Sequence, residues 1–293
     1  MPSLPILDRL PRSYTVVESP GGMAALHRDL ADAFTAAGYG PDHVGPLQPS
    51  DLAGRKPLFE LRIGGERFVV RRFSHGGLLR WLTGARFMDP QRPFRELVLA
   101  DALAREGFAT PQVVAARARR SKAGGWRLDV VTRRIEGACN VAQALAKLVA
   151  PGVGGRARRR LLEACGRLVR RMHDAGFLHA DLTTSNLLLR DGERVGERPE
   201  LLILDLDRSV LAPEPVTRAE RVANLARLLR HVERRRIDGD LPVLTTDYAR
   251  FLAAYEPDAR ARAELREAVR AAHAKSLRVH AVGWAAERHL AGR

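Results

Sequence analysis

Only two cysteines occur in the 293 residues, Cys139 and Cys165, and they share no paired spacing. That argues against a disulfide framework or a cysteine-built zinc site and fits a reducing cytoplasm. Aromatic residues are sparse, at 5%, so Leu, Val and Ala must carry most of the packing. Trp81, Trp126 and Trp284 are too dispersed to form a stacking platform for nucleic acid, so no nucleic-acid partner is expected. No apolar run approaches the roughly 18 residues needed to span a bilayer. The first ten residues hold two prolines and no apolar core of signal-peptide length. If a membrane matters, the chain is expected to lie on it rather than cross it. Acidic residues are also in deficit: 34 Asp plus Glu face 49 Lys plus Arg, nearly all of them arginine, for a formal charge of +15. Such an excess favours polyanionic neighbours, although an arginine-rich coding bias with solvated charges gives the same composition.

What remains is an ordinary globular composition, 45% hydrophobic, long enough for a full core or two lobes. A helix is expected over 22–37, then strands over 58–63 and 67–73 joined by Gly64-Gly65, a short-hairpin signal. Leu97, Ala100, Leu103 and Ala104 recur at helical spacing over 93–106, and Gly107 supplies a stop. Two more strands are expected at 112–118 and 126–133. Asn140 is placed to cap a helix through 149. Residues 156–175 are strongly periodic, with Leu161, Cys165, Leu168 and Met172 on one stripe. Short apolar runs at 186–189 and 201–206 flank a polar segment and read as a small hairpin. From about residue 217 onward the pattern is helical, with breaks near 239–242 and 256–258. A strand-rich first half and a helical second half make an α+β chain of two lobes, with the boundary expected between residues 135 and 136.

The informative stretch is His179-Ala180-Asp181-Leu182-Thr183-Thr184-Ser185-Asn186, with Leu201-Leu202-Ile203-Leu204 leading into Asp205-Leu206-Asp207 beyond the hairpin. A loop that opens with Asp181 and closes with Asn186 can aim both side chains into one cleft. Asp205, leaving an apolar strand, would bring a second hard oxygen there. Phosphoryl transfer needs that equipment: a carboxylate beside the acceptor hydroxyl, and oxygen ligands for magnesium. A capping Asp, a turn Asn and a surface Asp would leave the same residues in the sequence.

These residues resemble the catalytic loop and metal-binding motif of the protein-kinase-like superfamily. More narrowly, the chain resembles the lipopolysaccharide core kinases, above all those acting on 3-deoxy-D-manno-octulosonic acid (Kdo). The likeness rests on Val70-Arg71-Arg72-Phe73-Ser74-His75-Gly76-Gly77-Leu78, Phe94-Arg95-Glu96, Thr132-Arg133-Arg134-Ile135-Glu136-Gly137-Ala138, Met172-His173-Asp174-Ala175-Gly176, His179-Ala180-Asp181-Leu182 and Leu204-Asp205-Leu206-Asp207-Arg208. It spans roughly residues 45–235. The resemblance implies a two-lobed protein-kinase-like fold, ATP and Mg2+ as cofactors, Asp181 as catalytic base, and Asn186 and Asp205 as magnesium ligands. It also implies a Kdo-lipid A acceptor, an anionic glycolipid, met by a protein peripheral to the cytoplasmic face of the inner membrane.

The upstream half departs from the superfamily pattern. No G-x-G-x-x-G loop is present, and Gly54-Arg55-Lys56 is the best candidate for a phosphate-covering turn. Arg71 sits where a strand lysine is expected and could hold phosphate oxygens while paired with Glu96; an exposed strand arginine is the other reading. Ala180 replaces an arginine found in many protein kinases, so phosphate control through that residue cannot operate. Asp207 could assist the metal, orient the loop or be structural, and His179 reads as a satisfied core histidine. The loop from His75 through Arg80, Trp81 and Arg86 is expected to touch the acceptor. A heptose-directed or aminoglycoside-type kinase would share Asp181, Asn186 and Asp205. A non-catalytic basic adaptor on anionic membrane stays open as a reading from another class.

Overall fold

The computed structural model describes residues 4–43, 45, 47–52, 57–74, 86–148, 155–192 and 194–291, with backbone alone beyond residue 276. The chain divides into two compact units, Met1–Glu136 with Leu206–Arg208, and Gly137–Asp205 with Ser209–Arg293. Gly54-Arg55-Lys56 and the segment from His75 to Trp81 lie outside the described residues.

The first unit is built on one antiparallel sheet of seven strands. In chain order these are β1 (Tyr14–Ser19), β2 (Gly22–His27), β3 (Gln48–Pro49), β4 (Phe59–Ile63), β5 (Glu66–Arg72), β6 (Val113–Arg120) and β7 (Trp126–Arg133). Their spatial order is β1-β2-β6-β7-β5-β4-β3. The helix expected over 22–37 is corrected: residues 22–27 form β2, and the helical part is a 3-10 turn at Arg28–Leu30 followed by α1 (Ala31–Ala36). The alanines and leucine there favour a helix locally, but tertiary pairing overrides propensity. Gly22 shows why β2 fits: a Cβ on it would lie 2.4 Å from the Ala118 carbonyl oxygen. Met23 through Leu26 are all buried between β1 and β6, and small side chains let the strands close.

One sheet face packs Leu26, Phe68, Val70, Val114 and Val131 against Phe34 and Tyr39 from and after α1. The Tyr39 hydroxyl donates to Asp129 at 2.5 Å, and Arg117 donates to the same carboxylate at 2.6 and 3.0 Å. A buried charge pair of this kind is tolerable because nearly every donor is matched. Helix α2 (Arg92–Arg105) turns Phe94, Leu97, Ala100 and Leu103 inward and packs on β6 and β7; of the stripe read from the sequence, Leu97, Ala100 and Leu103 are buried and Ala104 is exposed.

The second unit opens with β8 (Cys139–Asn140) and α3 (Val141–Lys147), which Asn140 and Gln143 cap reciprocally. Helix α4 (Gly155–Asp174) buries Leu161, Cys165, Val169 and Met172. Strand β9 (Phe177–Leu178) pairs with β12 (Val210–Leu211), and β10 (Leu187–Leu189) lies between β8 and β11 (Leu201–Ile203). Helices α5 (Arg218–Ile237), α6 (Thr245–Tyr255) and α7 (Ala259–Ala291) follow, with breaks at the two places the sequence indicated. Both cysteines are buried and free, and burial pushes the Cys165 thiol up to about 12.

Candidate active site

The loop between β9 and β10 is fixed from three sides. Strand pairing comes first: Leu187 faces Ile203 in the β10–β11 register, and the Leu204 N–H donates to the Asn186 carbonyl at 2.9 Å. Asn186 thus lies opposite Leu204, the residue that precedes Asp205. Asp205 leaves β11 with a φ of 55°, a left-handed conformation that an aspartate tolerates better than most residues.

His179 supplies the second anchor. It is fully buried, and its Nε2 lies 2.8 Å from the Leu204 carbonyl oxygen. A carbonyl only accepts, so Nε2 carries the proton and Nδ1 is left to accept the Asp181 N–H at 3.1 Å. Burial holds the His179 imidazole below its ordinary pKa, against the opposing pull of the Leu204 carbonyl and of Asp205 and Asp181. It is a neutral structural member of the loop, in agreement with the sequence reading. Ser209 Oγ accepts the next N–H, that of Ala180, at 3.1 Å.

Helix α5 is the third anchor, and sequence reasoning missed it. Asn224 Nδ2 donates to the His179 carbonyl at 2.8 Å, and His231 Nε2 lies 3.0 Å from Thr184 Oγ1. Between them an Arg227 Nη1 stands 3.9 Å from Asp181 Oδ1. Positions 224, 227 and 231 share one helical face. That polar stripe beside buried Leu225 and Leu228 was the available signal.

The loop ties Asn186 to Asp181, and Asp205 follows Leu204, whose N–H bonds the Asn186 carbonyl. The Asn186 amide nitrogen donates to the Asp181 carbonyl at 2.8 Å and approaches Asp181 Oδ2 at 3.4 Å. With Nδ2 so engaged, the Asn186 carboxamide oxygen is the atom it offers a cation. Among the described residues no three His, Cys, Asp or Glu side chains converge as a self-sufficient metal cage. Magnesium needs no such cage, since it binds few protein ligands and completes its shell with water and phosphate, and Asn186 and Asp205 carry oxygen donors of the kind it takes.

In the first unit Arg71 and Glu96 form an ion pair, with Glu96 nearly buried. The Arg71 guanidinium also lies 4.6 Å from the Phe73 ring centre. Asp207, left open between several roles by the sequence, is ion-paired with Arg92, which packs over Phe73 and Phe87. Arg86 of the expected acceptor loop donates to the Ala123 carbonyl at 3.0 Å.

The lipopolysaccharide kinase (Kdo/WaaP) family model matches residues 67–255. The chain belongs to this family. A 3-deoxy-D-manno-octulosonic acid kinase of Stenotrophomonas maltophilia is 31% identical over 74% of this chain and 83% of its own length. The corresponding protein of Xanthomonas axonopodis pv. citri is 30% identical over 80% of this chain and 90% of its length. That of Actinobacillus succinogenes is 28% identical, and there the match reaches 65% of the relative's length. Among solved structures, "WaaP in complex with acyl carrier protein" superposes with a TM-score of 0.53 at 21% identity, covering 78% of this chain and 89% of that one. That likeness bears on fold, and establishes a protein-kinase-like α+β architecture. As a member of the lipopolysaccharide kinase family the protein is a kinase, a transferase of lipopolysaccharide biosynthesis.

Proposed function

We propose that the protein transfers the γ-phosphoryl group of ATP to a hydroxyl of a Kdo residue in lipid A-linked inner core. What supports this reading most is identity of 30% or more, along most of the chain, to kinases named for that sugar. The loop geometry supports the chemistry. Asp181 is half-exposed, so an acceptor hydroxyl can reach it, while its backbone N–H is tied to buried His179. Its carboxylate accepts the hydroxyl proton as the oxygen attacks. Asn186 and Asp205 would hold Mg2+, which supplies charge neutralisation on the phosphates when bound. Arg71, held by Glu96, would grip nucleotide phosphates through its planar donor fork.

The proposed setting is the cytoplasmic face of the inner membrane. Among the described residues no helix is long and apolar enough to cross a membrane. The formal charge of +15 suits an acceptor that carries a sugar carboxylate and lipid A phosphates.

The test is transfer from labelled ATP with Mg2+ to Kdo-lipid A, comparing the parent with Asp181→Ala. Transfer by the parent, reduced roughly 100- to 10,000-fold in kcat by the variant, is expected. A parent that binds ATP but leaves Kdo-lipid A unmodified would move the acceptor to another core sugar. A parent that binds no ATP would favour a non-catalytic adaptor.

A further inference from the structure

We infer that Arg227 binds the carboxylate of the acceptor sugar, and so selects an acidic sugar over a neutral one at the Asp181 site; this rests on the acceptor reading above. The position of the side chain is the starting point. Arg227 lies on α5 between two residues that are each bound to the catalytic loop, Asn224 one turn before and His231 one turn after. The helix therefore cannot slide along the loop without breaking both bonds, and the origin of the arginine is set relative to Asp181.

Separation and exposure come next. At 3.9 Å the nearest guanidinium nitrogen is close enough to Asp181 for Coulomb attraction yet beyond hydrogen-bond distance. Its donor is not consumed by that carboxylate. Both side chains are half-exposed, 46% for Arg227 and 43% for Asp181, so a molecule presenting a hydroxyl to one meets the other.

Neighbouring arginines of the same helix are arranged differently. Arg221 bonds Asp174 and the Val216 carbonyl, Arg230 bonds Ser276, and Arg236 bonds Glu233. Those side chains hold the fold; Arg227 is turned to the proposed base.

Charge then decides what Arg227 should meet. The reaction gathers an anionic base, an anionic phosphoryl group and, for Kdo, an acid group on the same ring as the reacting hydroxyl. A second carboxylate approaching Asp181 would be repelled without a cation beside it. A planar guanidinium matches a carboxylate with two parallel donors. It holds the ring by its acid group, orienting a hydroxyl of that ring toward Asp181.

The experiment is a cycle of two proteins and two acceptors. Parent and Arg227→Gln are assayed with Kdo-lipid A and with the same glycolipid whose Kdo carboxylate has been converted to the carboxamide. With the acid, Arg227→Gln is expected to lose roughly 10- to 100-fold in kcat/KM, mainly through KM. With the carboxamide, the parent should already be weakened by a similar factor and Arg227→Gln should add little. Arg227→Lys, which keeps the charge and loses the fork, should fall between. An equal loss on both acceptors, or a fall in kcat at unchanged KM, would overturn the inference and assign Arg227 to the phosphoryl group or to Asp181 itself. A parent inactive on both acceptors would overturn the Kdo reading and this inference with it.

Discussion

Two buried histidines show how single side chains set the loop without taking part in chemistry. His173 Nε2 lies 3.2 Å from Asn224 Oδ1, and His173 Nδ1 lies 2.8 Å from the Tyr255 hydroxyl. Because Asn224 gives its amide nitrogen to His179, its oxygen must accept, so His173 donates from Nε2 and receives the tyrosine proton at Nδ1. The chain of donors runs Tyr255, His173, Asn224, His179, Leu204, with each imidazole neutral. Burial lowers the His173 pKa from 6.5 to about 4, outweighing the Asn224 bond. The sign follows directly: a depressed folded pKa means the unfolded chain binds the extra proton first, so the contribution is complete above pH 6.5 and lost as pH falls toward 4. At about 1.4 kcal/mol per pKa unit, His173 should remove roughly 3 kcal/mol of stability between pH 7 and 4. Urea midpoints across that range should decline less steeply for His173→Gln, which keeps a donor and an acceptor but does not titrate. Parallel declines would mean that His173 is not held neutral.

At the scale of elements, α4 and α6 cross in close contact within the second unit. A Cβ on Gly166 would lie 2.4 Å from the Phe251 carbonyl oxygen and 3.1 Å from the Tyr255 amide nitrogen. Both are backbone atoms, so the helices would have to separate. The same joint holds Arg158 and Asp247, each almost wholly buried and bonded to one another. Gly166→Ala should cost roughly 1–3 kcal/mol, despite the better helix propensity of alanine, and a thermal melt would show it as a lower Tm. An unchanged or higher Tm would mean the helices absorb the methyl group freely. Since Tyr255 heads the hydrogen-bond chain to His179, transfer activity should fall along with stability.

Elements of this kind differ in how far the sequence declares them. Helix α4 was legible because its apolar stripe, Leu161 to Met172, repeats at helical spacing over about three turns. The β10–β11 hairpin was legible because two short apolar runs flank a polar segment. Strand β2 was not, since Met-Ala-Ala-Leu is good helix sequence and only pairing with β1 and β6 makes it extended. At the candidate site, Asp181, Asn186 and Asp205 could be picked out because chemistry restricts their types and order. Asn224, Arg227 and His231 showed only as a polar stripe on a helix, because they reach the loop from about 45 residues on, and no local pattern encodes that contact.

For the molecule as a whole, the formal charge of +15 separates two physical accounts. If the arginines are a coding bias, pairs such as Arg159 with Glu163 and Arg170 with Asp174 take up part of them, and the excess is scattered over the surface with no concentrated patch. If the excess serves a lipid-borne acceptor, it should concentrate the protein at an anionic surface, each nearby cation contributing about 1 kcal/mol. Salt distinguishes the two, because the Debye length shrinks from about 10 Å at 0.1 M to about 3 Å at 1 M. Sedimentation with vesicles should carry the protein down with anionic phospholipid at the lower salt and release it at the higher. Vesicles of zwitterionic lipid alone should leave it in solution at both. Binding that ignores salt and headgroup would point to apolar insertion. No binding at all would return the charge to composition, and the acceptor would then have to be recognised by the sugar contacts at Asp181 and Arg227 alone.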